Sequence, residues 1–162
     1  MHPKSRPGKL PESIMTAGEL CNRTVYIIRA DENVLEAARL MKRYHVGCLV
    51  VVEERGRDRV PIALVTDRDL VVKGLAEASG DLQTMPVSQV MSDGLTTARD
   101  TEDAFDVRKK MRARGVRRIP VVDAENRLQG IIAFDDMVEW MAQELTDLAQ
   151  LVSREQQRES ES

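Results

Sequence analysis

The chain of 162 residues is written twice. A shift of 70 positions lays RADENVLEAARLM (Arg29–Met41) over RDTEDAFDVRKKM (Arg99–Met111), and VGCLVVV (Val46–Val52) over VRRIPVV (Val116–Val122). Ile62–Leu70 then matches Gln129–Met137, once the shorter loop of the second copy is allowed for. A sequence repeat means that each copy is one small block of secondary structure, too small to bury its own apolar face. The length fits one average domain, or two small ones sharing a core.

Both copies read in the order strand, helix, strand, strand, helix, which predicts a mixed fold of helices and strands. Val25–Ile28 is a short β-branched and aromatic run. Asp31 or Asn33 is placed to cap a helix whose apolar positions Val34, Ala37, Ala38 and Met41 recur at helical spacing. Cys48–Val52 is continuously apolar, as in a strand covered on both faces. Residues 53–59 read as a charged loop, followed by a strand over Pro61–Val65 and a helix opening at Thr66 and Asp67. The second copy gives a helix with Ala104, Val107 and Met111 inward, then strands over Ile119–Val122 and Leu128–Ala133.

These patterns divide the chain into a polar tail (1–11), a first repeat (12–78), a linker (79–86), a second repeat (87–143) and a helical extension with a tail (144–162). Along the last helix, which runs past the second repeat, Met137, Met141, Leu145, Leu148 and Val152 form an apolar stripe, which predicts a core or a dimer seam. No apolar run approaches the ~20 residues of a membrane span. The basic first residues lead into Leu10-Pro11-Glu12 rather than a hydrophobic block, so no secretory signal is read. With a net charge of -3 and only five aromatic side chains, neither a phosphate-backbone binder nor a base-stacking platform is expected. Two cysteines make no disulfide framework, and the cytoplasm is the expected compartment.

The strand pair followed by Thr66-Asp67-Arg68-Asp69 resembles the cystathionine-β-synthase (CBS) domain. Gly115–Asp123 followed by Gly130–Asp136 is similar to the second half of the same domain. Ile14-Met15-Thr16 and Val90-Met91-Ser92 resemble the short lead-in that opens each repeat. The resemblance covers about residues 12–143 and implies a stand-alone pair of CBS repeats of α/β (α+β) class, related by a pseudo-two-fold axis. It further implies two clefts for adenosine ligands (AMP, ADP, ATP, NAD or S-adenosylmethionine), a homodimer, and regulation of an enzyme or transporter. Catalysis and a required cofactor are not implied.

The family's ligand motif has a small residue, apolar residues, then Ser/Thr-x-x-Asp at a strand-to-helix turn. The hydroxyl and the helix N–H groups suit a phosphate, and the carboxylate suits two ribose hydroxyls. The first copy has Ala63, Val65, Thr66 and Asp69 in this motif; the second has Gly130, Ala133 and Asp136, with no hydroxyl. The resemblance places Gly47 and Cys48, and in the second copy Arg117 and Arg118, at the phosphate ends of the clefts, with Thr96 and Thr97 as further lining. The cleft joining Thr66 and Asp69 to Arg117 and Arg118 is thus the better equipped, and it is expected to fill first.

A plainer reading stands beside this one. Thr66-x-x-Asp69 is also the pattern of a capping box, Asp135-Asp136 a helix-start acid pair, and Arg117-Arg118 a solvated strand edge. On that reading the chain is a ligand-free dimerisation or interaction module. His45 and Cys48 are too isolated in the sequence for a metal pair, so no metal site is expected.

Overall fold

The computed structural model describes residues 15–77 and 81–160. Two three-stranded sheets carry the fold. In one, β1 (Ile27–Arg29) runs parallel to β2 (Cys48–Arg55), which runs antiparallel to β3 (Asp58–Thr66). In the other, β4 (Ala98–Arg99), β5 (Arg118–Val122) and β6 (Leu128–Ala133) repeat that order and those senses. Both hairpins carry a register irregularity at the same place, between Val51 and Val52 and between Val121 and Val122. β3 and β6 lie against each other across the pseudo-two-fold axis.

The helices follow from local signals. Asn33 caps α2 (Val34–Tyr44) by accepting from the Glu36 N–H at 2.8 Å, and Asp103 caps α4 (Ala104–Arg114) through the Phe105 N–H. Both helices end on a left-handed residue, His45 at φ 54° and Gly115 at φ 64°. After β3 the chain makes one capped turn, α3 (Asp67–Asp69), and continues as a π-helical segment over Leu70–Leu75. After β6 it makes α5 (Phe134–Ser160), a single helix running well beyond the repeat.

One local expectation is corrected. Residues 53–59 are mostly strand: Glu53, Glu54 and Arg55 pair with Val60, Arg59 and Asp58 around a tight turn containing Gly56 at φ 66°. Charges of opposite sign face each other in two of these pairs, and the glycine permits the turn. A solvated hairpin with charged faces resembles a loop in composition alone.

The lead-ins are exchanged. Residues 15–22, including α1 (Ala17–Leu20), pack on the second repeat. Ala17 and Gly18 donate to the carbonyls of Glu102 and Asp100, and Asn22 exchanges both backbone hydrogen bonds with Ile131. Residues 85–92 do the same on the first repeat, with Val87 donating to Glu32 O and Ser92 to Leu64 O. Each core therefore contains side chains from the other repeat's lead-in. Val87 and Val90 join Ile28, Val34, Leu49, Val51 and Val65; Ala17 and Cys21 join Val107, Ile119, Val121, Ile132 and Met137. Val50, Val52 and Val122 on the alternate positions are also buried, so both faces of the central strands are covered, as their unbroken apolar runs require.

Candidate ligand-binding clefts

Where each lead-in leaves the opposite repeat and enters its own first strand, a cavity opens. The first, about 460 Å³, is lined by Asn22, Thr24, Val25 and Tyr26 before and in β1, by Tyr44–Cys48 before β2, and by Ile131, Ala133 and Asp136 from the second repeat. The second, about 640 Å³, is its pseudo-symmetric counterpart, lined by Ser92–Thr97, Lys110, Arg114, Val116 and Leu64. Either is large enough for a nucleotide. Arg118 lines both.

The first cavity carries one carboxylate. The Ala133 N–H donates to Asp136 Oδ2 at 2.7 Å, which fixes the side chain at the start of α5. Among the described residues the other oxygen has no partner, and Asp136 lies at the cavity wall. Tyr26 stacks on Tyr44 with ring centroids 4.3 Å apart, making a flat apolar wall beside Val25, Val50 and Ile131. Gly47, Cys48 and Ala133 also line this cavity.

The equivalent carboxylate of the first repeat is already engaged. Asp69 Oδ2 accepts from the Thr66 N–H at 2.9 Å and from Thr66 Oγ1 at 2.7 Å, and Lys73 Nζ stands 3.6 Å from Oδ1. Thr66 Oγ1 in turn accepts from the Asp69 N–H, completing a capping box. Neither Thr66 nor Asp69 lines the second cavity, whereas Thr96, Thr97 and Arg118 do. The only carboxylate there is Asp93, and Lys110 is turned to Glu102 and the Thr97 carbonyl.

Three placements differ from the sequence reading. Arg117 leaves the clefts: its guanidinium lies 5.5 Å from the Phe134 ring, in a groove between α4 and α5. Arg117 precedes β5 and turns to Phe134, while Arg118, the first residue of β5, lines both cavities. Ala63 and Val65 are buried in the first core. Gly130 faces the lead-in rather than a cavity, and a Cβ there would sit 2.4 Å from Cys21 Sγ and 2.7 Å from Asn22 O. Gly47 lines the first cavity, and a Cβ there would meet only the exposed Asp67 carboxylate, at 3.0 Å. Tyr26, Tyr44, His45, Thr24 and Asn22 join the first cavity unforeseen. For Tyr26 a signal was available, since the 70-residue shift carries it onto Thr96.

Burial pushes the Cys48 thiol up to about 11, with Asp69 and Asp67 adding to the rise and Arg118 opposing it. A raised thiol pKa means less thiolate below it. At pH 8 Cys48 should alkylate about a hundredfold more slowly than a thiol of pKa 9, and accelerate as pH rises toward 11. Peptide mapping after timed iodoacetamide labelling checks this; ordinary reactivity at pH 8 contradicts it.

Among the described residues no group of three or more His, Cys, Asp or Glu side chains is placed to hold a metal ion, and no helix is long and apolar enough to cross a membrane.

The CBS domain family model matches residues 17–74 and 87–143. The CBS domain-containing protein YhcV of Bacillus subtilis is 36% identical over 113 residues, which cover 70% of this chain and 76% of that protein. An uncharacterised protein of Methanopyrus kandleri is 28% identical over 125 residues, 77% of this chain but 62% of that protein's length. The crystal structure of CBSX2 in complex with AMP shares the fold, with a TM-score of 0.65 at 23% identity, covering 79% of this chain and 96% of that one. With two family matches on the two repeats, the exchanged lead-ins and the paired sheets, this chain belongs to the CBS domain family as a tandem pair.

Proposed function

We propose that this chain is a regulatory module that binds an adenosine ligand in the Asp136 cavity, pairs with a second copy, and passes occupancy to a regulated enzyme or transporter in the cytoplasm. The observation that carries the reading is the cavity's composition: a carboxylate with one unpartnered oxygen, a guanidinium and a flat apolar wall. Asp136 accepts from ribose hydroxyls, Tyr26 and Ile131 cover the base, and Arg118 meets the phosphate. The AMP complex of CBSX2, a protein of the same fold, supports the ligand class. The role assigned to the Thr66–Asp69 cleft by sequence passes to this one, because Asp69 accepts twice from Thr66, stands beside Lys73, and lines neither cavity. No cofactor and no catalytic step belong to this reading.

Isothermal titration calorimetry of AMP against adenosine tests it. AMP should bind the natural chain more tightly than adenosine does. Arg118→Gln should remove that difference, a loss of about tenfold or more for one charge-assisted contact. If adenosine, AMP, ATP and S-adenosylmethionine all give no heat, the ligand-free interaction module stands instead. The complete capping box at Thr66 and Asp69 is the observation that favours it.

A further inference from the structure

The second cavity differs from the first in charge. Arg114 at the end of α4 and Arg118 at the start of β5 both line it. Neither guanidinium has a hydrogen-bond or ion-pair partner among the described residues. The third cation, Lys110, is held by Glu102 at 2.7 Å and by the Thr97 carbonyl, and the one carboxylate is Asp93. The Thr96 and Thr97 hydroxyls are also without partners among the described residues, whereas the Ser92 hydroxyl is spent on the Leu64 N–H and the Gly94 carbonyl. Two free guanidinium groups against one carboxylate leave this cavity positive. In the first cavity one guanidinium, Arg118, is matched by one carboxylate, Asp136.

A nucleoside finds little in the second cavity. Asp69, the counterpart of Asp136, is turned to Thr66 and Lys73 and does not line it. The apolar lining is Leu64, Leu95 and Val116, with no ring to match the stacked Tyr26 and Tyr44 of the first cavity.

We propose that the second cavity takes a compact polyphosphate anion with no nucleoside attached, and that this anion and the nucleotide of the Asp136 cavity compete for Arg118. A guanidinium offers its donors in one planar fork, and Arg118 brings a single fork to two cavities. A phosphate held on one side takes donors that the other side needs, and the two anions repel each other. Filling either cavity therefore weakens the other by the same factor, as linkage requires. The competition rests on the nucleotide reading given above; the anion site stands without it.

Calorimetry with sodium tripolyphosphate, at constant ionic strength, tests both halves. Tripolyphosphate should bind the natural chain, and Arg114→Gln should weaken it tenfold or more. Arg114 is exposed, so this substitution leaves the fold standing. Equal binding by the two proteins puts the anion elsewhere and overturns the proposal, as does the absence of heat with the natural chain. Saturating tripolyphosphate should weaken AMP by about tenfold, one charge-assisted contact, and leave adenosine, which has no phosphate, unaffected. An AMP affinity indifferent to tripolyphosphate, or an equal loss for adenosine, overturns the competition for Arg118. Undiminished competition in Arg114→Gln would mean that the anion enters the Asp136 cavity itself, which overturns the proposal too. If AMP gives no heat while tripolyphosphate still requires Arg114, the nucleotide reading fails, the competition falls with it, and the anion site is upheld.

Discussion

Asp136→Ala should weaken AMP binding by about tenfold or more, while Asp69→Ala should change it much less. The two carboxylates hold equivalent places in the two repeats, each three residues into the strand-to-helix turn. Their surroundings differ. Asp136 spends one oxygen on the Ala133 N–H and presents the other at a cavity wall. Asp69 accepts twice from Thr66, stands beside Lys73, and lines no cavity among those described. At the position equivalent to Lys73 the second repeat has Trp140, which brings no charge to Asp136. A ribose hydroxyl donating to a carboxylate contributes roughly 1.5–3 kcal/mol, so its loss is read directly as affinity. Asp69→Ala should appear in stability instead, because it removes half of a capping box worth about 1 kcal/mol. Calorimetry and thermal melts on both variants separate the effects. Loss of AMP affinity at Asp69 with none at Asp136 would return the ligand to the other cleft.

The repeat and the element order were legible because they depend on local pattern. Helical spacing in Val34, Ala37 and Met41, a cap at Asn33 and unbroken apolar strands each act within a few residues. The exchange of lead-ins was hidden, since it rests on hydrogen bonds such as Asn22 to Ile131 that join residues more than a hundred positions apart. The site was half legible. A resemblance places residues near a cleft but does not say which way a side chain turns. Arg117 stands just before β5 and Arg118 opens it, a boundary that the sequence does not mark, whereas the spacing of Asp69 and Lys73 at i and i+4 would have shown a lysine beside the carboxylate. Composition misled once, at the charged hairpin over Glu53–Arg59, where opposite charges pair across strands instead of fraying into a loop.

Gly130→Ala should lower the melting temperature by several degrees with no direct contact to any ligand. In the family motif this residue is small so that a ligand can approach; here the approaching group is the protein's own lead-in. The Cβ of an alanine would meet Cys21 Sγ at 2.4 Å, Asn22 O at 2.7 Å and Cys21 Cβ at 3.0 Å. Two of these belong to a buried core side chain, and the third is the carbonyl that accepts from the Ile131 N–H at 3.0 Å. None is the loose end of a flexible chain, so the lead-in itself must shift. Such overpacking costs about 1–3 kcal/mol, or roughly 2–12 °C for a chain of this size. The shift would also disturb Asn22, Thr24 and Tyr26, which continue from the lead-in to the wall of the Asp136 cavity. AMP affinity should fall as well, although Gly130 lines no cavity. Cys21→Ala in the same chain removes the nearest atom and should restore part of the stability, a coupling that a double-mutant cycle measures. Additive losses, or a Gly130→Ala protein as stable as the natural chain, would show that the lead-in does not press on β6.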